Sequence, residues 1–141
     1  MIEAPGSTDI SRPIQEVFDY VVDARNEPKW LPGAADVEKT TTGEVGLGTR
    51  FEGTYARAGK VTLEVVRYEP PHRLTFRARA KPVHFDDEVE LSERDGKTHL
   101  EARMLAEPQG LLRFVPFLMA PALKKGFAAN WDRLRAELEK T

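Results

Sequence analysis

The run Val83-His84-Phe85-Asp86-Asp87-Glu88-Val89-Glu90-Leu91-Ser92-Glu93-Arg94-Asp95-Gly96-Lys97-Thr98-His99-Leu100-Glu101-Ala102-Arg103-Met104-Leu105-Ala106 decides the fold. Its two halves alternate with a period of two, as strands do when one face is buried. Val83, Phe85, Asp87, Val89 and Leu91 share one face; His84, Asp86, Glu88 and Glu90 share the other. Between the halves, Asp95-Gly96 is a two-residue hairpin signal, because both central positions of that turn need positive φ. Folding the run back at this turn sets Leu91 opposite Leu100, Val89 opposite Ala102 and Asp87 opposite Met104. The apolar faces coincide, which specifies the register, since a slip of one residue would reverse every side chain. The same register sets Glu88 against Arg103, and Glu90 against Glu101, a like-charge pair that the register does not explain.

Working outward, the preceding segments also read as strands. Leu74 to Ala80 pairs with the run around Lys81-Pro82, bringing Arg77 and Arg79 near Asp86 and His84. Pro70-Pro71 forces a loop before it. Lys60 to Tyr68, Thr49 to Tyr55, Ala35 to Thr41 and Gly6 to Ile10 complete the set, with glycines at the bends. Phe51 and Tyr55 share an inner face with Val61, Leu63 and Val65 if the loop around Gly59 has an odd number of residues, which sends Glu52 and Glu64 outward. Between the first two strands, Ile14, Val17, Phe18, Val21 and Val22 form the apolar face of a short helix. Ser11 offers its N-cap oxygen and Pro13 suits its first turn. Asn26 and Pro28 break it, and Lys29-Trp30-Leu31-Pro32-Gly33 closes a second short helix or turn. At the other end Leu123, Phe127, Trp131, Leu134 and Leu138 recur at helical spacing. A long amphipathic helix is expected from about Pro121, with an irregular lead-in across Pro116.

The chain has 141 residues, 40% of them apolar and 31% charged, which suits one domain over 1–141 with its own core. A formal charge of −2 argues against nucleic acid as a partner. The chain has no cysteine, which removes disulfides, thiolate metal sites and cysteine catalysis. The N-terminus has no basic and apolar leader pattern, so a cytoplasmic location is expected. No stretch approaches the roughly 20 apolar residues of a membrane span. The three histidines are dispersed, His72 in the Pro-Pro loop and His84 and His99 on the outer face, so no metal site is read. No phosphate loop or nucleophile elbow occurs, and no cofactor is expected. The apolar stretch from Gly110 to Met119 reads as packing on the open end of the sheet, or as a flap, a dimer contact or a transient membrane contact.

The element order, together with particular residues, resembles the polyketide cyclase/dehydrase and lipid-transport branch of the START-like superfamily. The matching residues are Ile10-Ser11-Arg12-Pro13 leading to Val17-Phe18-Asp19-Tyr20, then Asp23 and Pro28-Lys29-Trp30. Gly46-Leu47-Gly48-Thr49, Tyr68-Glu69-Pro70-Pro71-His72-Arg73-Leu74, and Leu134 with Leu138-Glu139 continue the match. The resemblance implies an α+β helix-grip fold: a curved antiparallel sheet of six or seven strands wrapped around the long C-terminal helix, with two short helices after the first strand. It also implies a ligand cavity between sheet and helix. Fold alone does not give function.

The expected inner set is Phe51, Tyr55, Leu63, Phe76, Phe85, Asp87, Val89 and Met104, facing Leu123, Phe127 and Trp131 of the long helix, with Trp30 near the mouth. It is aromatic-rich with a few polar tips, as ligand pockets are. Asp87 is the one carboxylate on an apolar strand face, and a buried carboxylate is costly unless paired or protonated. It either serves a ligand or acid/base chemistry or meets Tyr55 or water, or else a bulge there lets it reach solvent. Tyr55 and Trp30 offer an O–H and an N–H to a ligand, or are core aromatics. Gly126 marks either a close helix–sheet approach or a neutral surface position. Three functions remain open. One is a carrier or sensor for a small hydrophobic ligand (a lipid, isoprenoid or aromatic polyketide). The second is a cyclase/dehydrase using Asp87 and Tyr55 as acid/base groups. The third is a co-chaperone-like interaction module using residues 110–119.

Overall fold

In the computed structural model, which describes residues 1–56, 58–81, 83–110 and 116–140 (backbone only for 116–119), the strands form one seven-stranded antiparallel sheet. They are β1 (Ile2–Ile10), β2 (Ala35–Lys39), β3 (Arg50–Tyr55), β4 (Gly59–Glu69), β5 (Arg73–Arg79), β6 (Val83–Arg94) and β7 (Lys97–Pro108). The sheet order is β1-β7-β6-β5-β4-β3-β2, so the first two strands occupy opposite edges. The chain crosses between those edges through α1 (Ile14–Val22) and a 3-10 helix (Ala24–Lys29). The sheet is curved, and the long helix α2 (Pro116–Leu138) packs mainly on β1. This is the expected α+β helix-grip architecture.

The β6–β7 register matches the reading from sequence, with Leu91 opposite Leu100, Val89 opposite Ala102 and Asp87 opposite Met104. Asp95 and Gly96 both have positive φ, at 50° and 77°, as the turn requires. The Glu90–Glu101 clash is relieved from both sides. Arg73 reaches Glu90 at 3.8 Å, and His99 lies 3.2 Å from Glu101 while holding Asp9 at 2.7 Å. Arg77 and Arg79 both reach Asp86, at 3.3 and 3.8 Å. Phe51 pairs with Leu63, and Tyr55 with Gly59. The loop therefore holds residues 56–58, an odd number, and Glu52 and Glu64 lie outward against Lys60 and Arg50. β4 carries a register shift between Val65 and Arg67, an irregularity of the kind that bends a strand.

Several boundaries differ from expectation. β1 begins at Ile2, because Ile2 and Ala4 continue the buried alternation and Pro5 is tolerated on an edge strand. Ser11 does not cap α1: Pro13 holds the cap position without a side-chain bond, and the Ser11 N–H donates to Glu139 Oε2 at 2.9 Å. α1 buries all five of its expected apolar positions. It ends at Asp23, whose carboxylate accepts from the Arg25 N–H at 3.1 Å. Asn26 and Pro28 lie inside the 3-10 helix that follows and do not break it. α2 starts at Pro116, where proline in the first turn costs no hydrogen bond, and continues through Pro121, which lies inside the helix and leaves one carbonyl of the preceding turn without its helical N–H partner. Gly126 is exposed, with nothing within 4 Å of where a Cβ would stand, so it is a neutral surface position. The contact surface read from Gly110 to Met119 falls almost wholly on residues whose side chains lie outside those described. No helix among the described residues is long and apolar enough to cross a membrane.

Gly6 determines how α2 sits. A Cβ built there would stand 2.3 Å from Trp131 Cδ1 and 2.6 Å from Trp131 Nε1. The absent side chain lets the Trp131 indole lie on the β1 backbone. The helix is thus seated against one edge of the sheet, and a space is left over the middle strands.

Candidate functional site

That space is a cavity of about 440 Å³. Its wall takes Tyr55 from β3, Val61 and Leu63 from β4, Phe76 from β5, Val83, Phe85, Asp87 and Val89 from β6, and Met104 and Ala106 from β7. Leu123, Phe127, Asn130 and Trp131 of α2 close the opposite side, and Glu27, Trp30 and Leu31 close one end. Strand alternation explains the sheet side: every wall residue of β6 and β7 belongs to the face read as apolar.

The structure brings Trp30, Tyr55, Leu63, Phe76, Phe85, Asp87, Met104, Leu123, Phe127 and Trp131 to this wall. Phe51 is the exception. It is fully buried in the core, 6.3 Å from the Phe76 ring and behind the wall. Trp30 is both plug and wall: it is 6% exposed and packs on Trp131 with ring centroids 5.5 Å apart. The β6 ladder runs unbroken through Asp87, which pairs with Phe76 on one side and Met104 on the other. No bulge carries Asp87 to solvent.

Glu27 belongs to the site and was not read from the sequence. It stands in the 3-10 helix between Ala24 and the capping residue Trp30, at the three-residue spacing that puts all three on one face. That spacing was the available signal, hidden by the adjacent Asn26 and Pro28, which read as chain breakers. Glu27 is buried, and its Oε1 accepts a short hydrogen bond from the Tyr55 hydroxyl. Asp87 borders the cavity, so it keeps some accessible surface, yet its Oδ1 atom is buried and has no hydrogen-bond partner. The Trp30 and Trp131 indole N–H groups are likewise buried without acceptors.

Burial governs the protonation of all three acidic groups. It pushes the Glu27 carboxyl up to about 7, against a smaller opposing effect of the Tyr55 hydrogen bond. It pushes the Asp87 carboxyl up to about 8, and the negative charges of Glu27 and Asp86 add to the rise. The Tyr55 phenol is pushed well above its usual value by burial and by the neighbouring carboxyls. The site therefore holds two carboxyl groups that exchange protons near neutrality beside a phenol locked in its neutral form. Such carboxyls can act as hydrogen-bond donors, as acceptors, or as acid/base groups.

No group of three potential metal-ligating side chains occurs among the described residues. A larger groove, of about 540 Å³, lies on the outer face of the sheet, lined by Arg67, Arg73, Glu88, Glu90, Glu101 and Arg103 among others. These six charges already pair with neighbours, as Arg103 does with Glu88 at 2.7 Å. The apolar cavity between sheet and helix, with its unpartnered buried atoms, is the better candidate site.

A sequence-family model described as polyketide cyclase / dehydrase and lipid transport matches residues 1–139. No curated protein sequence matches the chain significantly. Several solved structures share its fold. A conserved protein from Geobacillus kaustophilus superposes with a TM-score of 0.75 at 18% identity, covering 99% of this chain and 96% of that one. The di-domain ARO/CYC protein BexL from the BE-7585A biosynthetic pathway gives 0.77 at 16% identity, covering 99% of this chain and 47% of that one. The protein Ara h 8.0201 gives 0.70 at 14% identity, covering 99% and 98%. At these identities the likeness is one of fold.

Proposed function

The chain belongs to the polyketide cyclase/dehydrase and lipid-transport family, and from that premise we propose that it encloses a small apolar ligand between the sheet and α2, as a carrier or sensor. The observation that carries this reading is the cavity itself: an apolar, aromatic-walled space of about 440 Å³ in a chain of 141 residues. Native cores are close-packed, and an unfilled space of this size is a cost that a ligand offsets. The ligand's carbon body is of the lipid, isoprenoid or aromatic polyketide class, and the buried polar atoms orient it. Native mass spectrometry of freshly purified protein, followed by denaturing extraction, tests the reading. A stoichiometric small molecule is the expected result. A protein that is apo as purified and stays apo with fatty acids, isoprenoids and aromatic polyketides overturns it.

A second reading, an enzyme of the cyclase/dehydrase kind, is favoured by one further observation. Glu27 and Asp87 exchange protons near neutral pH within one largely apolar cavity, which suits groups that move protons on a folded substrate. In that reading Asp87 is the acid/base group and Tyr55, held by Glu27, orients the substrate oxygen. Loss of turnover in Asp87→Asn on a bound polyketide, with binding retained, supports the enzyme. Turnover that survives both Asp87→Asn and Glu27→Gln excludes it.

A further inference from the structure

The cavity wall carries two carboxyl groups and, among the described residues, no lysine, arginine or histidine. Glu27 uses one oxygen on the Tyr55 hydroxyl, whereas Asp87 Oδ1 is buried and meets no donor. Elsewhere in this protein partly buried carboxylates find cations, as Asp23 does with Arg25 at 2.7 Å. Around the two acids stand the rings of Trp30, Phe76, Phe85, Phe127 and Trp131. Aromatic rings attract organic cations, and an ionised carboxylate gives such a cation both counter-charge and a strong acceptor. The wall is thus complementary to one head group above others.

We propose that the ligand is an apolar amine, an alkyl or aryl ammonium whose nitrogen sits against Asp87 and whose carbon body fills the aromatic remainder of the cavity. This rests on the ligand-cavity reading above and deepens it by naming the head group. A carboxylate-ended lipid would bring a third acid into a largely apolar space whose described wall carries no cation. A neutral alcohol would satisfy one hydrogen bond and, once the acids ionise, leave their charge uncompensated. Binding the ammonium ion ionises Asp87, and the carboxyl proton leaves to solvent. The titratable groups facing Asp87 are Glu27 from the 3-10 helix and Tyr55 from β3, and Asp86 adds its charge from the outer face of the same strand; α2 offers only the neutral Asn130 among its described polar wall residues. These groups and burial hold Asp87 protonated up to about 8. Amine affinity therefore rises with pH through neutrality, until the ligand itself deprotonates.

Both tryptophans of the chain line the cavity, so intrinsic fluorescence reports its occupancy. The test is titration with decylamine, decanol and decanoate, matched in chain length, at about pH 6 and about pH 9, either side of the carboxyl titrations. At the higher pH decylamine is expected to bind about tenfold or more tighter than decanol, with decanoate weakest, and the amine's advantage shrinks about tenfold at the lower pH. In Asp87→Asn the amine-to-alcohol ratio is expected to collapse to within about threefold and to lose its pH dependence. If that variant does not fold, the three head groups compared on the native chain decide alone. Decanoate binding as tightly as decylamine, or equal amine and alcohol affinities at the higher pH, overturns the amine inference and leaves the cavity reading standing. Binding of none of the three counts against the cavity reading, and removes this inference with it.

Discussion

Glu27 and Asp87 make the stability of this fold depend on pH in a defined direction. Burial raises both carboxyls above their usual range, to about 7 and about 8, so the folded chain binds more protons than the unfolded one from about pH 4 upward. Stability must therefore fall as pH rises through that window, and level off above the folded values. Urea unfolding at about pH 5 and about pH 8 should show the native chain losing stability, while Glu27→Gln and Asp87→Asn each lose less by on the order of 1–3 kcal/mol. A native chain that gains stability over that interval would mean that both carboxylates have found cations. Tyr55 carries the matching prediction. Its hydroxyl donates to Glu27 and holds that carboxyl below where burial alone would put it. Tyr55→Phe should raise the Glu27 value further, read by carboxyl carbon chemical shift against pH. At neutral pH it should cost about 1–3 kcal/mol, because a buried acceptor loses its donor. Unchanged Glu27 titration in Tyr55→Phe would show that the phenol does not govern that carboxyl.

At the level of elements, the contact of α2 with β1 turns on one residue. Any side chain at Gly6 meets the Trp131 ring well inside van der Waals distance, and Trp131 is only 4% exposed. Gly6→Ala should destabilise by about 1–3 kcal/mol through overpacking and shift the tryptophan emission as the indole is displaced. A variant with native melting temperature and native emission would refute this seating of the helix. Gly6 read only as the first residue of its strand and Pro5 as lying outside it, because in isolation both are turn residues; the role of Gly6 depends on what lies above the strand. The β6–β7 hairpin was legible for the opposite reason. Asp95-Gly96 is a local signal, and once it is placed every cross-strand pair follows, including the Glu88–Arg103 bridge. α1 was legible from its five-residue apolar stripe. A second short helix was expected to close at Lys29–Gly33, but its span over Ala24–Lys29 was not legible, since Asn26 and Pro28 read as breakers in a segment whose face has period three. Glu27 was lost with it.

Over the whole molecule, the sequence indicates which faces turn inward and says nothing of whether they meet. Strand alternation put Tyr55, Leu63, Phe76, Phe85, Asp87, Val89 and Met104 on the cavity wall as expected, yet Phe51, on the same inner face, packs behind it. The 3-10 helix packs on the β2 edge and reaches Tyr55 of β3 through Glu27, whereas α2 is seated on β1 and stands away from the middle strands. The cavity is therefore a product of closure geometry, and it should be removable without disturbing the fold. Ala106 is the position to test. It is 1% exposed, lies on the wall, and pairs with Phe85 of β6 and with Ile2 of the edge strand β1. Ala106→Leu adds apolar volume at the floor without adding a polar group. If the space is open, the new side chain fills it, and the melting temperature holds or rises, by up to about 1 kcal/mol in stability. Decylamine and decanol should then each bind about tenfold or more weakly by tryptophan fluorescence. If the space is closed in solution, the same substitution overpacks a finished core and costs about 1–3 kcal/mol. A stable Ala106→Leu that still binds as the native chain does would place the ligand elsewhere, because one volume cannot hold both the leucine and the ligand.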